Sequence, residues 1–258
     1  MDELRIRFLG TGNAFHRDGR GSQSIWLEPA GSAPLLVDVG PTAVQAMLRY
    51  GETPERVERV LFTHLHGDHI AGWPFLLLRL VLGPTRERPL DVHGPSGLRD
   101  RLDRLSRACF DDALRPESFE LRFHEWPIEP RVGEELGDGI TLDRFPVKHH
   151  PSSMGLRLGL GGMQLGVSGD TGWCEGLEQT AAGTEMTVVE CTSLAPESET
   201  HLSLAEIRRG RERLGSRELV LVHTIDAVAE ELAVDPIAGV LAAHDGMLWR
   251  PPGAPGTA

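Results

Sequence analysis

The sequence predicts an α/β (α+β) protein built from two mixed β-sheets facing each other, with helices outside. Three features carry this expectation. Strand-like and helix-like segments alternate through the first and last thirds of the chain, the middle is strand-rich, and no stretch of the 258 residues has the composition of an interdomain linker. The expected organisation is one domain over residues 1–250 and a flexible tail over 251–258, where "RPPGAPGTA" is rich in Pro and Gly. No internal repeat is visible.

The elements follow in order. "LRIRFLG", "SIWLEP" and "PLLVDVG" read as three early strands. Residues 41–50, "PTAVQAMLRY", open with Pro41, which suits the first turn of a helix. "RVLFTH" is a short apolar strand that runs into a histidine cluster, and "AGWPFLLLRLVL" reads as a helix. "LDVHG" is a strand; after the "GPSG" turn, "GLRDRLDRLSRA" is an amphipathic helix. Strands are expected over "SFELRFHEW", "ITLDRFPVKH", "MGLRLGL" and "MQLGVSGD". The last third runs through the strand "EMTVVEC", a helix from about Ser203 to Leu214, the strand "ELVLVH" and a helix over "AVAEELA".

Composition excludes several classes. Hydrophobic content of 40% and charged content of 25% are those of an ordinary soluble globular protein. A net charge of −12 argues against stable nucleic-acid binding, which needs Lys and Arg in excess. Cys109, Cys174 and Cys191 are scattered and form no Cys-x-x-Cys, which suits reduced thiols in the cytoplasm; Cys191, after "TVVE", is expected to be buried. No signal peptide is visible, and "WPFLLLRLVLG" is too short for a membrane span and carries Arg79. The same helix offers a surface for a homodimer. There is no Gly-x-Ser-x-Gly, no phosphate-binding Gly-x-x-x-x-Gly-Lys and no complete dinucleotide turn.

The chemistry concentrates in "THLHGDHIAG", residues 63–72. At a strand end, the two-residue spacing of His64 and His66 points both rings the same way. Asp68 and His69 follow across Gly67, a glycine expected to let the chain turn tightly. One loop thus offers two imidazoles to one ion, and a carboxylate with an imidazole to a second. Such donors suit Zn(II) first, with Mn(II) or Fe as alternatives.

This stretch resembles the signature of the metallo-β-lactamase superfamily, and the rest of the chain is similar to its ribonuclease Z branch of phosphodiesterases. "FLGTGNAFHRDGRGSQSIWLE", "LLVDVG" with Asp38 and Gly40, "DVHGPSGLRDRL", "FPVKHHPSSMGLRL", "SGDTG", "VVECT", "THLSLAEI" and "LVLVHT" resemble that branch's motifs in the same order. The resemblance implies the metallo-β-lactamase-like αββα sandwich and a metal-dependent hydrolase. One ion falls to His64, His66 and His149, a second to Asp68, His69 and His223, and Asp170 bridges them. His149 is preferred over His150 because the branch's ligand lies six residues before the glycine that begins the next strand, here Gly155. As adjacent strand residues the two histidines would point to opposite faces.

The resemblance also implies catalytic roles. Two cations lower the pKa of a water, which Asp68 helps to aim in line at phosphorus. His201 protonates the leaving oxygen and Glu190 orients it; the plainer reading of "THLS" is a helix start with Ser203 as N-cap. Many bacterial members of the branch carry a long arm between the third histidine and the bridging aspartate, which grips transfer RNA. Here only "HPSSMGLRLGLGGMQLGVSG" separates His149 from Asp170, which fits one hairpin. The expected substrate is therefore a small phosphodiester or nucleotide, with Ser152 and Ser153 as candidate phosphate contacts. The alternatives are a lactone, thioester or other ester, and transfer RNA 3′ processing. His16, His93, His124 and His244 are expected to be structural or solvent-facing.

Overall fold

The computed structural model describes residues 4–84 and 86–251; the expected tail, beyond residue 251, lies outside the described residues. The chain forms two compact units, one from residues up to 10, 21–127 and 245 onward, the other from 11–20 and 128–244.

In the first unit β1 (Arg5–Gly10), β2 (Ser24–Glu28) and β3 (Leu35–Val37) fall on the three early predicted strands. Helix α1 (Ala43–Arg49) begins two residues after Pro41. Strand β4 (Arg59–Leu61) ends sooner than expected, so His64 and His66 lie in a loop beyond the sheet, before the single helical turn α2 (Gly67–Ile70). There follow α3 (Trp73–Leu82), β5 (Leu90–Pro95), α4 (Leu98–Phe110) and β6 (Leu121–Trp126). Amphipathic α4 buries Leu98 and Leu102, one turn apart, and pairs Asp100 with Arg104 and Asp103 with Arg107 on its exposed side. Trp26, Phe62, Trp73, Leu76, Leu80, Val92 and Leu98 share one apolar core, in which Phe62 meets Trp73 edge-on at 6.3 Å. Burial of each such side chain stabilises by about 1.5–3 kcal/mol, which holds the histidine loop between two packed elements.

The second unit opens with β7 (Arg131–Gly137), a strand the sequence did not announce. "RVGEELG" sits at a sheet edge with most residues exposed, so no apolar alternation marks it. Strands β8 (Ile140–Pro146), β9 (Met154–Leu160) and β10 (Met163–Val167) follow as expected. Helix α5 (Glu175–Ala181) was also unannounced; β11 (Met186–Glu190), α6 (Leu204–Gly210), β12 (Glu218–Val222) and α7 (Asp226–Val234) were anticipated. Ser203 caps α6 in a reciprocal capping box with Glu206. The short strands β13 (Val240–Ala242) and β14 (Leu248–Trp249) are too brief to show a period, and β14 pairs with β1. Leu177, Val189, Leu204, Ile207, Leu219, Leu221 and Val228 belong to this unit's core.

Each unit carries a seven-stranded mixed sheet, ordered β14-β1-β2-β3-β4-β5-β6 and β13-β12-β11-β10-β9-β8-β7. Pairings from β3 through β6 are parallel in the first sheet, as are those from β10 through β13 in the second; the remaining pairings are antiparallel. Open parallel sheets place functional side chains just beyond the carboxyl ends of their strands. Asp38 follows β3, Thr63 and His64 follow β4, Asp170 follows β10, Glu190 ends β11 and His223 follows β12.

Candidate metal centre

In the first unit, parallel pairing of β3 with β4 brings Asp38 beside Thr63, 25 residues on. Asp38 is buried with a left-handed φ of 59°, a conformation that aspartate tolerates better than most side chains. Its Oδ1 accepts from the Thr63 amide at 2.8 Å, and its Oδ2 from the Thr63 hydroxyl at 2.9 Å and His69 Nδ1 at 2.8 Å. The threonine oxygen, its proton given to Asp38, accepts from His64 Nδ1 at 3.1 Å. His64 and His69 are thus both held at Nδ1, which leaves Nε2 as the ring nitrogen that could coordinate an ion. Their rings lie 4.1 Å apart, and His64 meets His66 edge-on at 4.7 Å. Asp68 Oδ2 lies 3.4 Å from His69 Nε2.

The turn does not use glycine's freedom. Gly67 has an ordinary φ, and a Cβ there would meet nothing within 4 Å. The chain turns by entering α2, whose first residue is Gly67.

In the second unit His149 and His150 lie in a turn, not a strand: Val147 donates to the Ser153 carbonyl and Ser153 to the His150 carbonyl. The turn replaces the expected extended pair: β8 ends at Pro146, and Pro151, directly after the pair, supplies no amide for a ladder. It still separates them: the His150 ring is exposed against Ser152 Oγ, whereas His149 Nδ1 donates to the Thr200 carbonyl at 3.1 Å. His149 Nε2 lies 3.9 Å from Asp170 Oδ2, and His223 Nε2 lies 3.3 Å from the same oxygen. His223 has a left-handed φ of 51°, a strained backbone state of the kind that gathers at functional sites. Ser153 is buried, its Oγ accepting from the His150 amide, and Ser152 is engaged with the His150 ring, so both serve the turn itself.

Glu190 and His201 form the second feature of this unit. His201 Nδ1 lies 2.8 Å from Glu190 Oε1, and the ring stands 4.6 Å from that of His149 and 5.7 Å from that of His223. Burial pushes the Glu190 carboxyl above the usual carboxylate range, while the His201 hydrogen bond pulls it down. Around its two oxygens stand the Thr171 amide, His201 Nδ1, the Thr192 hydroxyl and the Leu202 amide, at 2.7, 2.8, 3.0 and 3.2 Å. The two backbone amides can only donate, so each carboxyl oxygen of Glu190 accepts at least one hydrogen bond.

The donor chemistry fits divalent cations. Four-coordinate zinc with bonds of roughly 2.0–2.1 Å sets neighbouring donor atoms about 3.3 Å apart. The His69–Asp68 and His223–Asp170 contacts, at 3.4 and 3.3 Å, have that spacing; the His149–Asp170 contact, at 3.9 Å, is wider. Each of these rings has its Nδ1 held by a carboxylate, hydroxyl or carbonyl, the arrangement that fixes tautomer and aim in metal sites. The spacing alone also groups His149, Asp170 and His201, and Glu190, His201 and His223.

Sequence reasoning missed the supporting residues. Thr63, Thr192 and the Thr200 carbonyl are not ligand types, and Asp38 had only a motif position to mark it. The other histidines are as expected: His16 and His244 are exposed, and His93 stacks on His124 at 4.3 Å while His124 Nε2 meets Asp91 at 2.8 Å. The hairpin between His149 and Asp170 is confirmed. β9 and β10 join through Gly161 and Gly162, both with positive φ, as a two-residue turn of type I′ requires.

A sequence profile of the family described as "Anti-Pycsar protein Apyc1" matches residues 4–244. Ribonuclease Z of Mycobacterium bovis (strain BCG / Pasteur 1173P2) is 28% identical, with 87% of this chain and 87% of that protein covered. Among solved structures, the metallo-beta-lactamase fold protein YhfI from Bacillus subtilis superposes with a TM-score of 0.78 at 17% identity, covering 96% of this chain and 99% of that one. The short form of human tRNase Z (ELAC1) gives a TM-score of 0.77 at 21% identity, covering 95% and 98%. The fold is the one these proteins share, the metallo-β-lactamase fold.

Proposed function

Because this chain belongs to the Anti-Pycsar protein Apyc1 family and is a metal-dependent hydrolase of ester bonds, we propose that it cleaves a small phosphodiester or nucleotide at a dinuclear centre. In this reading His64, His66 and His149 hold one ion, Asp68, His69 and His223 hold the other, and Asp170 bridges them. Zn(II) suits these donors best, ahead of Mn(II) and Fe. When bound, the ions supply Lewis acidity toward a phosphoryl oxygen and lower the pKa of water in the site.

The chain's own groups do the rest. Asp68, about one-seventh exposed at its side chain, accepts a hydrogen bond from the attacking water and aims it. Glu190 holds His201 by Nδ1, which leaves Nε2 as the nitrogen that passes a proton to the leaving oxygen. The Glu190–His201 pair is the observation that carries the phosphodiester reading: it occupies the positions of the phosphodiesterase branch's motifs and offers a positioned proton to an alkoxide leaving group, which a thioester lacks. The small substrate is supported by the Gly161–Gly162 hairpin, which leaves no arm to grip transfer RNA, and by the net charge of −12. A cytoplasmic setting suits the free thiols of Cys109, Cys174 and Cys191. Among the described residues no helix is long and apolar enough to cross a membrane.

Two other readings remain distinct in assay. The likeness to ribonuclease Z favours transfer RNA 3′ processing, and the same metal centre serves lactone or thioester opening. The deciding experiment offers protein of measured metal content bis-p-nitrophenyl phosphate, cyclic nucleotides, precursor transfer RNA and a lactone panel. Turnover of the small diesters is expected; hydrolysis confined to lactones or to precursor transfer RNA would overturn the proposal.

A further inference from the structure

The Thr192 hydroxyl has no part in the reaction just described, yet it touches both chemistries of the second unit. Its Oγ1 lies 3.0 Å from Glu190 Oε2 and 3.1 Å from His223 Nδ1. A hydroxyl has one proton to give. Glu190 Oε2 accepts it at 3.0 Å, and the competing acceptor, the His223 carbonyl, is farther away at 3.4 Å. The proton therefore goes to Glu190, and the oxygen accepts from His223 Nδ1–H. That fixes His223 as the tautomer whose Nε2 lone pair faces Asp170.

The same device stands in the first unit, where the Thr63 hydroxyl donates to Asp38 and accepts from His64 Nδ1. In both places a threonine sits between a buried carboxylate and an imidazole, just beyond neighbouring parallel strands. The difference lies in the carboxylate. Asp38 serves a second histidine of the segment that carries His64, namely His69, whereas Glu190 serves His201.

We propose that Thr192 is a positioning residue whose single hydroxyl ties the Glu190–His201 pair to His223, so that ion retention by His223 and alignment of His201 depend on one group. The inference rests on His223 being a ligand and His201 the proton donor. It makes the hydrogen bond to Glu190 part of what holds His223 in its coordinating tautomer, and ligand geometry part of what holds Glu190 beneath His201.

The test compares Thr192→Val, which keeps the shape and removes the hydroxyl, with Thr192→Ser, which keeps the hydroxyl. Zinc affinity is read by chelator competition on the full chain, without substrate. Thr192→Val is expected to lose about tenfold or more in affinity for the weaker-bound ion, and Thr192→Ser to stay within about twofold of the parent. Long-range nitrogen–proton NMR on the metal-free chain should show His223 protonated at Nδ1 in the parent and the serine variant, and mixed in the valine variant. Parental affinity and tautomer in Thr192→Val would overturn the inference. So would equal losses in both variants, which would assign the effect to the methyl group. Should the valine variant not fold, Thr192→Ala takes its place with the same readings. Neither reading uses turnover, so a parent protein inactive on phosphodiesters would defeat the proposed function and leave this test intact.

Discussion

His69 donates its Nδ1 proton to Asp38 Oδ2 across 2.8 Å, and both side chains are fully buried. A buried carboxylate that takes this proton and the Thr63 hydroxyl holds two histidines of one loop in their coordinating form. Asp38→Asn would turn an amide toward at least one of those donors. It is expected to cost about 1–3 kcal/mol of stability and roughly 10–100-fold in zinc affinity. Denaturant unfolding and chelator competition read the two losses. Parental zinc affinity in the variant would remove Asp38 from the support of the centre.

His201 and Asp170 should separate cleanly. His201→Ala is expected to lower kcat by about 10²–10⁴-fold while metal content stays near that of the parent, because the proposed ligand sets do not include it. Asp170→Ala should lose metal and activity together. Metal analysis beside steady-state kinetics distinguishes these, and full activity in His201→Ala would end its assignment as proton donor.

Glu190→Gln probes the carboxylate. The glutamine amide would face one of the donors now at 2.7–3.2 Å around Glu190. A stability loss of about 1–3 kcal/mol and a fall in kcat at constant metal content are expected. Urea titration and turnover measure them; a variant as stable and active as the parent would remove Glu190 from the support of His201.

Two glycines near the candidate ligands should behave in opposite ways. A Cβ on Gly172 would lie 1.9 Å from the Glu199 carbonyl oxygen, in the segment whose Thr200 carbonyl holds His149. Gly172→Ala should therefore destabilise the fold and reduce metal affinity. Gly67→Ala meets open space within a helical turn and should leave the melting temperature unchanged or raised. A melting-temperature loss in Gly67→Ala as large as that in Gly172→Ala would contradict this account.

Thiol reactivity follows burial. The Cys191 thiol is pushed up by burial, with the neighbouring Glu190 charge adding to the effect, while Cys109 is exposed. An aromatic disulfide reagent at mildly alkaline pH should modify Cys109 first and Cys191 only after unfolding. Rapid labelling of Cys191 in the native chain would show that β11 opens locally.

Much of this was legible before the fold was known. Strands of alternating or continuous apolar residues announced themselves, as did the amphipathic α4 and the Ser203 N-cap of α6. The edge strand β7 escaped because its exposed, charged residues carry no period, and β13 and β14 because they are too short to show one. The His149–His150 pair was read as strand because "ITLDRFPVKH" alternates, but Pro146 and Pro151 bracket a turn.

By itself the sequence determined which donors exist and in what order. His64, His66, Asp68 and His69 fall within six consecutive positions, so local spacing brings them together whatever the rest of the chain does. Only the tertiary structure decided what holds each ring's other nitrogen. Asp38 is 31 residues from His69, Thr192 is 31 from His223, and the Thr200 carbonyl is 51 from His149. Two of these meetings come from parallel pairing of β3 with β4 and of β11 with β12. Strand adjacency of that kind depends on which long loops close, and the periodicity of a segment encodes its own face but not its neighbour.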